Sequence, residues 1–380
     1  MKIGILTQPL HRNYGGILQN WALQQVLIRM GHAPEMIFID YRGYRRSWTV
    51  GYILRRLMSF ALCCIRRYGF QRENVFIQNP FDRLYMPSQP KYADSRFIKS
   101  IKKTKALRTA LSFGKFIKNA DYDAFIVGSD QVWREEYSSD IRSFFLGFLS
   151  ETDKRKRIAY AASFGKEREY ISADNLPACR ELLHRFDTVS VREDSGLDIL
   201  KRDFSYEDGV KVLDPTLLLA TEDYKDIIAT SDHNQMPTLA AYILDPTEDI
   251  EKIAKEGAEE RNLKIEEFSG QYEGKPMLSI PQWLAAFANA EFVVTDSFHG
   301  MVFSILFNKP FVVYANKERG LDRYTSLLNE LGLEDKLVYS YEDFKARNKQ
   351  LFADIDYKSV NQTLEKRRKD SLKFLTDALA

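Results

Sequence analysis

The sequence places its most reactive side chains in one short segment of the second half of the chain. His299 is the only histidine of this region and stands close to the carboxylate of Asp296. Three cations follow the next apolar run, at Lys317, Arg319 and Arg323. A histidine beside a carboxylate and ahead of several cations is typical of a functional site for an anionic group. The alternative is a structural loop histidine whose ring is hydrogen-bonded to backbone groups.

The elements that must position His299 follow from the apolar pattern around it. The runs at residues 292–294 and 301–307 predict a buried parallel strand, then a loop, then a helix with Ser297 as its N-cap. The next strand is predicted at residues 311–314. His299 would therefore lie at the carboxyl end of a strand, where ligands bind in open α/β sheets. The free N–H groups of the helix start would attract a phosphate or a carboxylate there.

Length and composition bound the class of protein. With 380 residues, of which 44% are hydrophobic and 13% aromatic, the chain can bury a large core and is expected to form two domains. Its three cysteines, Cys63, Cys64 and Cys179, match no disulfide framework or metal-ligand spacing, which indicates a reducing, cytoplasmic location. The sequence shows no signal-peptide pattern at its start and no apolar run long enough to cross a bilayer.

The net charge of +2 hides a strong asymmetry along the chain. Residues 41–120 carry 18 Lys and Arg against three Asp and Glu, whereas the rest of the chain carries 37 against 50. Residues 43–72 have the spacing of a basic amphipathic helix, and residues 96–118 contain no acidic residue. The first segment could lie on an anionic membrane or close over a lipid-linked substrate, or it could pack on the core with its arginines reaching solvent. Both segments suit phosphate-rich or membrane partners, and no nucleic-acid-binding signature is present.

The start of the chain has the pattern of a Rossmann-like domain. Residues 2–6 predict a strand, a helix follows, and residues 36–39 predict a second strand. The Gly15-Gly16 pair permits a close approach of the backbone, but its spacing differs from the G-x-G-x-x-G of dinucleotide binders, so we do not predict NAD. The segment from Asn13 to Gly16 is predicted either as a tight turn or as a ligand contact.

Three further strands of this domain end in polar or charged residues. They are predicted at residues 123–127, 158–162 and 188–191. The residues that follow them include Ser129, Asp130, Gln131, Trp133, Ser163 and Arg192. Such endings are typical of the ligand-binding edge of a parallel sheet, although a single residue such as Asp130 could instead cap a helix.

Pro215 marks the predicted crossing between two domains, because a proline restricts the preceding residue to an extended conformation. We predict a first Rossmann-like domain at residues 1–215 with a basic insertion at about 43–118, a second at residues 216–345, and a helical segment at residues 346–380. The second domain is predicted to contain strands at residues 238–244 and 264–268 and helices at residues 248–261 and 280–290. The last helix, at residues 357–380, could return to the first domain.

Six segments, taken in order, resemble one protein family. They are NYGGILQNWALQ, DAFIVGSDQVW, IAYAASFG, SVRED, VLDPTLLL and FVVTDSFHGMVFSILFNKPF, and together they cover most of the chain. In these segments the chain is similar to the polysaccharide pyruvyl transferase family. The resemblance implies an α/β fold of two Rossmann-like domains that face each other across a cleft, as in GT-B glycosyltransferases.

The resemblance also implies a reaction. Members transfer the pyruvyl unit of phosphoenolpyruvate to two hydroxyls of a sugar as a cyclic ketal and release phosphate, without a metal or another cofactor. The implied acceptor is a glycan of a bacterial cell surface, often carried on a lipid. Such an acceptor would bring a cytoplasmic protein to the inner face of the membrane, which suits the basic segments.

The implied reaction assigns a role to each candidate residue. His299 would protonate the methylene carbon of the enol phosphate as a general acid, and Asp296 would orient its ring. The implied donor-binding residues are Ser297, Gly300, Arg192, Lys317, Arg319 and Arg323, since cations can hold the carboxylate and the phosphate. The implied acceptor-binding residues are Asn13, Tyr14, Gly15, Gly16, Ser129, Asp130, Gln131, Trp133 and Ser163. Trp133 would be a platform on which a sugar can stack.

The sequence departs from the family pattern at one position of the donor site. Characterised members tend to have Arg-Leu-His where this chain has Ser297-Phe298-His299, so the arginine is missing. Either Arg319 or Lys317 replaces it, or the donor is not phosphoenolpyruvate. Two alternative functions are a GT-B-type glycosyltransferase that uses a nucleotide-sugar and a non-catalytic glycan-binding protein.

Overall fold

The computed structural model describes residues 1–10, 13–39, 96–107, 110–138, 140–168, 170–232, 236–269, 277–315 and 320–380. In this part of the chain, two parallel β-sheets flanked by helices form two α/β halves, as predicted. The predicted amphipathic helix at residues 43–72 lies outside the described residues, as do Cys63, Cys64, Lys317 and Arg319.

The first sheet contains six parallel strands. They are β1 (Lys2–Leu6), β2 (Ala33–Met36), β3 (Ala124–Gly128), β4 (Lys156–Ala162), β5 (Thr188–Val191) and β6 (Val210–Lys211), in the order β2-β1-β3-β4-β5-β6. The central strands are apolar along nearly their whole length because helices cover both faces of the sheet. Strand β2 lies earlier than predicted, and of the predicted later part only Ile39 forms a bridge, to Leu107.

Seven described α-helices precede the second sheet in the chain. They are α1 (Tyr14–Arg29), α2 (Arg96–Ser100), α3 (Ala110–Asn119), α4 (Leu176–Leu183), α5 (Asp194–Phe204), α6 (Pro215–Leu218) and α7 (Glu222–Ile228). Helix α1 begins where the Asn13 side chain accepts a hydrogen bond from Gly16 N at 3.1 Å. That cap fixes the point at which the chain turns from β1 into α1.

The second sheet contains five parallel strands. They are β7 (Thr238–Tyr242), β8 (Lys264–Phe268), β9 (Ala290–Thr295), β10 (Phe311–Tyr314) and β11 (Leu337–Val338), in the order β11-β10-β9-β7-β8. The helices around it are α8 (Glu248–Arg261), α9 (Ile280–Asn289), α10 (Phe298–Leu306), α11 (Asp322–Leu331) and α12 (Tyr341–Leu351). Strands β8 and β10 and helix α8 have the predicted bounds, and the strand–loop–helix order around His299 is confirmed.

One buried apolar cluster is shared by both halves. It includes Ile5 of β1 and Phe303 of α10, whereas smaller clusters cover the outer face of each sheet. Tyr14 of α1 joins the halves directly, since its hydroxyl donates to Leu278 O at 2.7 Å and its ring stacks on Trp283 with centroids 5.2 Å apart. The shared cluster holds the two sheets in one arrangement by burying apolar surface of both.

A last helix, α13 (Tyr357–Leu379), returns to the first half. The Ser371 hydroxyl accepts from Leu213 N at 3.0 Å, and Lys156 Nζ donates to Ala378 O at 3.2 Å. Among the described helices, none combines the length and the apolar character needed to span a membrane.

Candidate active site

Each sheet reverses its strand order at one point. In the first sheet the chain runs from β1 outward to β2 and then places β3 on the other side of β1. In the second sheet it runs from β7 outward to β8 and then places β9 on the other side of β7. Ligands of open α/β sheets bind at such switch points, at the carboxyl ends of the strands. The loops after β1 and β9 therefore define the candidate active site.

A compact turn holds His299 at the end of β9. Ser297 caps α10 as predicted, because its hydroxyl accepts a hydrogen bond from Gly300 N at 3.3 Å. The Thr295 hydroxyl donates to Tyr242 O at 2.6 Å and accepts from Ser297 N at 3.0 Å, which ties the turn to β7. A Cβ on Gly300 would overlap the Thr295 hydroxyl, so only glycine lets the helix start this close to the strand. The imidazole is thereby fixed in the first turn of α10.

The imidazole lies at the contact between the two halves. His299 is 7% exposed, and a Cβ on Gly15 of α1 would overlap its ring at Nδ1, Cγ and Cε1. Its Nε2 atom is 3.6 Å from Asp214 Oδ2 and has no hydrogen-bond partner among the described residues. The alternative prediction of a histidine satisfied by backbone groups does not hold for Nε2. The ring is held between a glycine backbone and a carboxylate.

Asp214, the N-cap of α6, is the carboxylate beside the ring. Its Oδ2 accepts hydrogen bonds from Arg192 Nη1 at 2.8 Å and from Ser129 Oγ at 3.0 Å, and its Oδ1 accepts from Thr216 N at 3.0 Å and Thr216 Oγ1 at 2.7 Å. Burial alone would raise the pKa of this carboxyl, but His299, Arg192 and Thr216 outweigh burial and hold the pKa well below its usual range. Asp214 is therefore negatively charged at neutral pH.

Two guanidinium groups flank Phe298, the residue before the histidine. Arg192 Cζ is 4.5 Å from the centroid of the Phe298 ring, and Arg323 Cζ is 5.9 Å from it. Arg192 is 7% exposed, and its Nε and Nη2 atoms have no hydrogen-bond partner within the described ranges. Arg323 Nε also has no hydrogen-bond partner among the described residues. Because buried donors are normally satisfied, this unused capacity indicates a place for a ligand with acceptor atoms.

Glu193 lies beside Arg192 and is also buried. Its Oε1 accepts a hydrogen bond from the Ser163 hydroxyl, and its Oε2 is 3.5 Å from Arg192 Nε without a hydrogen bond. Burial raises the pKa of Glu193 above its ordinary value, against the opposing influence of Arg192 and Ser163. Arg192 thus lies between a carboxylate held in its charged form, Asp214, and a carboxyl shifted toward its protonated form.

Asp296 has a different contact from the one predicted. Its Oδ1 accepts from Leu244 N at 2.7 Å and its Oδ2 from Asp245 N at 2.8 Å, directly after β7. The carboxylate therefore joins the two loops at the switch point of the second sheet. The predicted contact between Asp296 and His299 is not seen, and the carboxylate beside the ring is that of Asp214.

Trp133 and Tyr14 are core residues rather than the predicted acceptor contacts. Trp133 is fully buried, its ring stacks on Phe145 with centroids 5.2 Å apart, and its Nε1 donates to Phe144 O at 3.0 Å. Tyr14 is also fully buried, with its ring against Trp283. Their aromatic faces are covered by protein, so neither ring offers a surface on which a sugar can stack.

The remaining side chains after β1 and β3 are held by the protein itself. Asp130 has φ +67°, a left-handed conformation that aspartate tolerates better than most residues. Its Oδ2 accepts from Asn13 Nδ2 at 3.0 Å and its Oδ1 from Gln131 N at 2.9 Å. Gln131 Oε1 accepts from Arg134 Nη1 at 3.0 Å, and a Cβ on Gly16 would lie 3.0 Å from Asp130 Oδ2. These groups build the turn that brings the backbone of α1 to the histidine.

Sequence reasoning missed Asp214, Glu193 and Phe298 as residues of the site. An aspartate directly before a proline and two residues before a threonine is typical of a helix N-cap, and Asp214 is indeed the cap of α6. That signal explains the local structure but does not point to a histidine in another part of the chain. Only the fold brings the two together.

The site as a whole can hold an anion and move a proton. It offers an imidazole, a carboxylate and two guanidiniums around one aromatic ring. Across the described ranges, no group of three or more His, Cys, Asp and Glu side chains is placed to hold a metal ion.

Comparisons with known proteins identify the family and the fold. A family model described as polysaccharide pyruvyl transferase matches residues 13–318. UDP-GlcNAc 2-epimerase from Neisseria meningitidis, solved with UDP-GlcNAc bound, covers 100% of this chain and 99% of its own, at 11% identity and a TM-score of 0.51. The S. aureus MnaA complex with UDP covers 96% of this chain and 90% of its own, at 12% identity and a TM-score of 0.51. No curated protein sequence matches the chain. At such identity the two solved structures share its GT-B-like fold alone.

Proposed function

Because the chain belongs to the polysaccharide pyruvyl transferase family, we propose that it moves the pyruvyl group of phosphoenolpyruvate onto a glycan as a cyclic ketal. The family makes the chain a glycan-modifying transferase, and the donor and the ketal are the finer proposal. The observation that carries it is the position of His299, which lies against Gly15 where the two switch points meet. A proton donor between two facing sheets can reach a donor bound on one side and a sugar bound on the other.

The proposed reaction is balanced by one proton cycle. His299 donates a proton to the methylene carbon of the enol phosphate, and the first sugar hydroxyl adds to the neighbouring carbon. Phosphate then leaves, and the second hydroxyl attacks the same carbon to close the ketal. Of the two hydroxyl protons, one restores the imidazolium and the other leaves with the phosphate.

Arg192 and Arg323 are the cations that we assign to the donor. A guanidinium can hold a carboxylate or a phosphate through two parallel hydrogen bonds, and both residues have N–H groups without a partner among the described residues. Phe298 between them supplies a dry wall that strengthens these electrostatic contacts. Of the described cations, Arg323 is our choice to replace the arginine that is missing at Ser297.

We further propose that the acceptor is carried on a lipid and that no metal or other cofactor takes part. The side chains of Arg96, Lys99, Lys102, Lys105 and Lys118 are exposed on the first half. Their charge supports a peripheral contact with an anionic membrane or a lipid diphosphate at the cytoplasmic face.

Phosphate release from phosphoenolpyruvate tests the proposal. Purified protein should release phosphate only when a galactoside or a related acceptor is present. His299→Gln should lower the rate about 10²- to 10⁴-fold, the usual contribution of a general acid. His184→Gln is the matched control, because the His184 ring contacts Phe204 O at the end of α4 and should leave the rate unchanged. Wild-type release by His299→Gln would remove this histidine from the mechanism.

Thermal stabilisation by ligands separates the proposal from its alternatives. A ligand that binds only the folded state raises the melting temperature. We expect phosphoenolpyruvate to stabilise the protein more than UDP-, GDP- or CMP-sugars do. Stabilisation by a nucleotide-sugar alone would favour a glycosyltransferase, and stabilisation by a glycan alone would favour a binding protein.

A further inference from the structure

The two oxygens of Asp214 have separate tasks. Oδ1 accepts both hydrogen bonds from Thr216, which caps α6. Oδ2 accepts from Arg192 and Ser129 and is the oxygen that lies 3.6 Å from His299 Nε2. At 3.6 Å the contact with the ring is an ion-pair distance, and such contacts often tighten only when substrate binds. Oδ1 is therefore used by the helix cap, whereas Oδ2 is the oxygen that faces the imidazole.

The two ring nitrogens of His299 also differ in their surroundings. Nε2 is buried and faces only this carboxylate oxygen among the charged groups of the described chain, without a hydrogen bond. Nδ1 is on the side of the ring that lies against the backbone of Gly15, at the contact between the halves. A charged carboxylate can accept a hydrogen bond but cannot donate one. The nitrogen that faces Asp214 is therefore the one that should carry a hydrogen.

We propose that Asp214 is a positioning residue, which holds the hydrogen on Nε2 of His299 and leaves Nδ1 as the nitrogen that exchanges a proton with the substrate. The inference rests on the proposed function for its catalytic part, and it names the group that performs the task first predicted for Asp296. During the reaction Nδ1 gives its proton to the methylene carbon. The neutral ring then keeps its Nε2 hydrogen toward Asp214 until a hydroxyl proton restores Nδ1.

Other charged and titratable groups interact electrostatically with Asp214, with Arg192 or with Glu193. They are Arg192 and Glu193 after β5, Asp130 after β3, Tyr160 on β4, Tyr224 on α7 and Arg323 on α11. Arg192 offsets the charge of Asp214, since it donates directly to Oδ2. Asp214 is the carboxylate next to the ring. Its removal should therefore change the tautomer of His299 more than the removal of any of these neighbours.

The position of the hydrogen on the neutral ring tests the proposal without any assay of activity. Nitrogen-15 NMR at alkaline pH separates the two tautomers, and His299→Gln assigns the signal. In the wild-type protein the hydrogen should be on Nε2. In Asp214→Asn the ring loses its charged acceptor, so the share of the tautomer with its hydrogen on Nε2 should fall. A wild-type ring with its hydrogen on Nδ1 would overturn the proposal, even if the variant did not fold.

Kinetics give the second measurement. Asp214→Asn should lower kcat at least tenfold with KM within threefold. Asp223→Asn is the matched control, since Asp223 pairs with Arg29 and accepts from Ala220 N away from the site, and it should change kcat less than twofold. A loss of rate in Asp214→Asn that only follows the fall in melting temperature would contradict the proposal.

The two measurements distinguish this inference from the proposed function. If the tautomers are as expected but pyruvyl transfer is not detected, the role of Asp214 is supported and the proposed reaction is contradicted. If pyruvyl transfer is detected but the tautomer is unchanged in Asp214→Asn, the proposed reaction is supported and the role of Asp214 is contradicted.

Discussion

The loops that follow β1 and β3 keep their polar side chains in hydrogen bonds within the protein, whereas the residues around His299 leave buried nitrogen atoms without a partner. Asn13, Asp130 and Gln131 illustrate the first kind, because each accepts or donates to a neighbour at about 3 Å. Arg192 and His299 illustrate the second. In both regions polar residues follow apolar strands, so this pattern alone does not tell them apart.

The difference shows where a ligand is expected. A side chain whose hydrogen bonds are complete within the protein would have to lose one in order to bind a substrate, and an unmade buried hydrogen bond costs free energy. A buried guanidinium with free N–H groups gains free energy when a carboxylate arrives. The first region therefore builds the turn, and the second is where we propose that the donor binds.

The largest expected effect concerns the charges around Arg192. Arg192→Met leaves Asp214 without its guanidinium partner and should reduce the free energy of unfolding by about 3–5 kcal/mol, the usual cost of a broken buried ion pair. Denaturant unfolding measures it. Arg202→Met is the control, since Arg202 pairs with Asp203 near the surface, where an ion pair contributes about 1 kcal/mol or less. Equal losses of unfolding free energy in both variants would show that the buried Arg192–Asp214 pair contributes no more than the surface pair.

A methyl group at position 15 tests whether the two regions must touch. Gly15→Ala should displace the His299 ring and lower the rate of phosphate release about 100-fold, because a misplacement of about 1 Å has effects of that size. Alanine favours a helix over glycine, so the fold should be kept. Gly114→Ala in α3 is the matched control, since its Cβ would meet no atom within 4 Å. A rate near that of wild type in Gly15→Ala would mean that the contact is not needed for catalysis.

The smallest expected effect separates core packing from acceptor binding. Trp133→Phe removes the donor to Phe144 O and should reduce the free energy of unfolding by about 1–2 kcal/mol, while KM for the glycan stays within twofold. Trp283→Phe is a useful partner, because Trp283 Nε1 has no hydrogen-bond partner among the described residues and its loss leaves no carbonyl unsatisfied. A large rise of KM in Trp133→Phe alone would return this residue to the acceptor site.

Much of the fold could be predicted from the sequence because local patterns determine it. The apolar runs around His299 and the cap at Ser297 depend only on neighbouring residues, and β9, α10 and β10 follow from them. The burial of Trp133 could not be predicted in this way. An aromatic residue soon after a strand suggests a ligand platform, but the left-handed turn at Asp130 directs the chain back into the core.

The carboxylate beside the histidine could not be predicted from the sequence for a different reason. Asp296 is close to His299 in the chain, so it was the natural candidate, yet the turn directs its carboxylate to the amides after β7. Asp214 reaches the ring only because α6 begins at the junction of the halves. A contact between distant segments depends on the assembled topology, which periodicity does not reveal.

The return of α13 has a consequence for how the protein is made. Tyr160 of the first sheet packs against Phe374, and Leu375 and Leu379 belong to the shared buried cluster. While the ribosome is still producing the second half, the first half would expose the apolar surface that this helix later covers. Nascent chains stopped before Tyr357 should therefore bind chaperones that recognise apolar surface, and should release them once α13 has emerged.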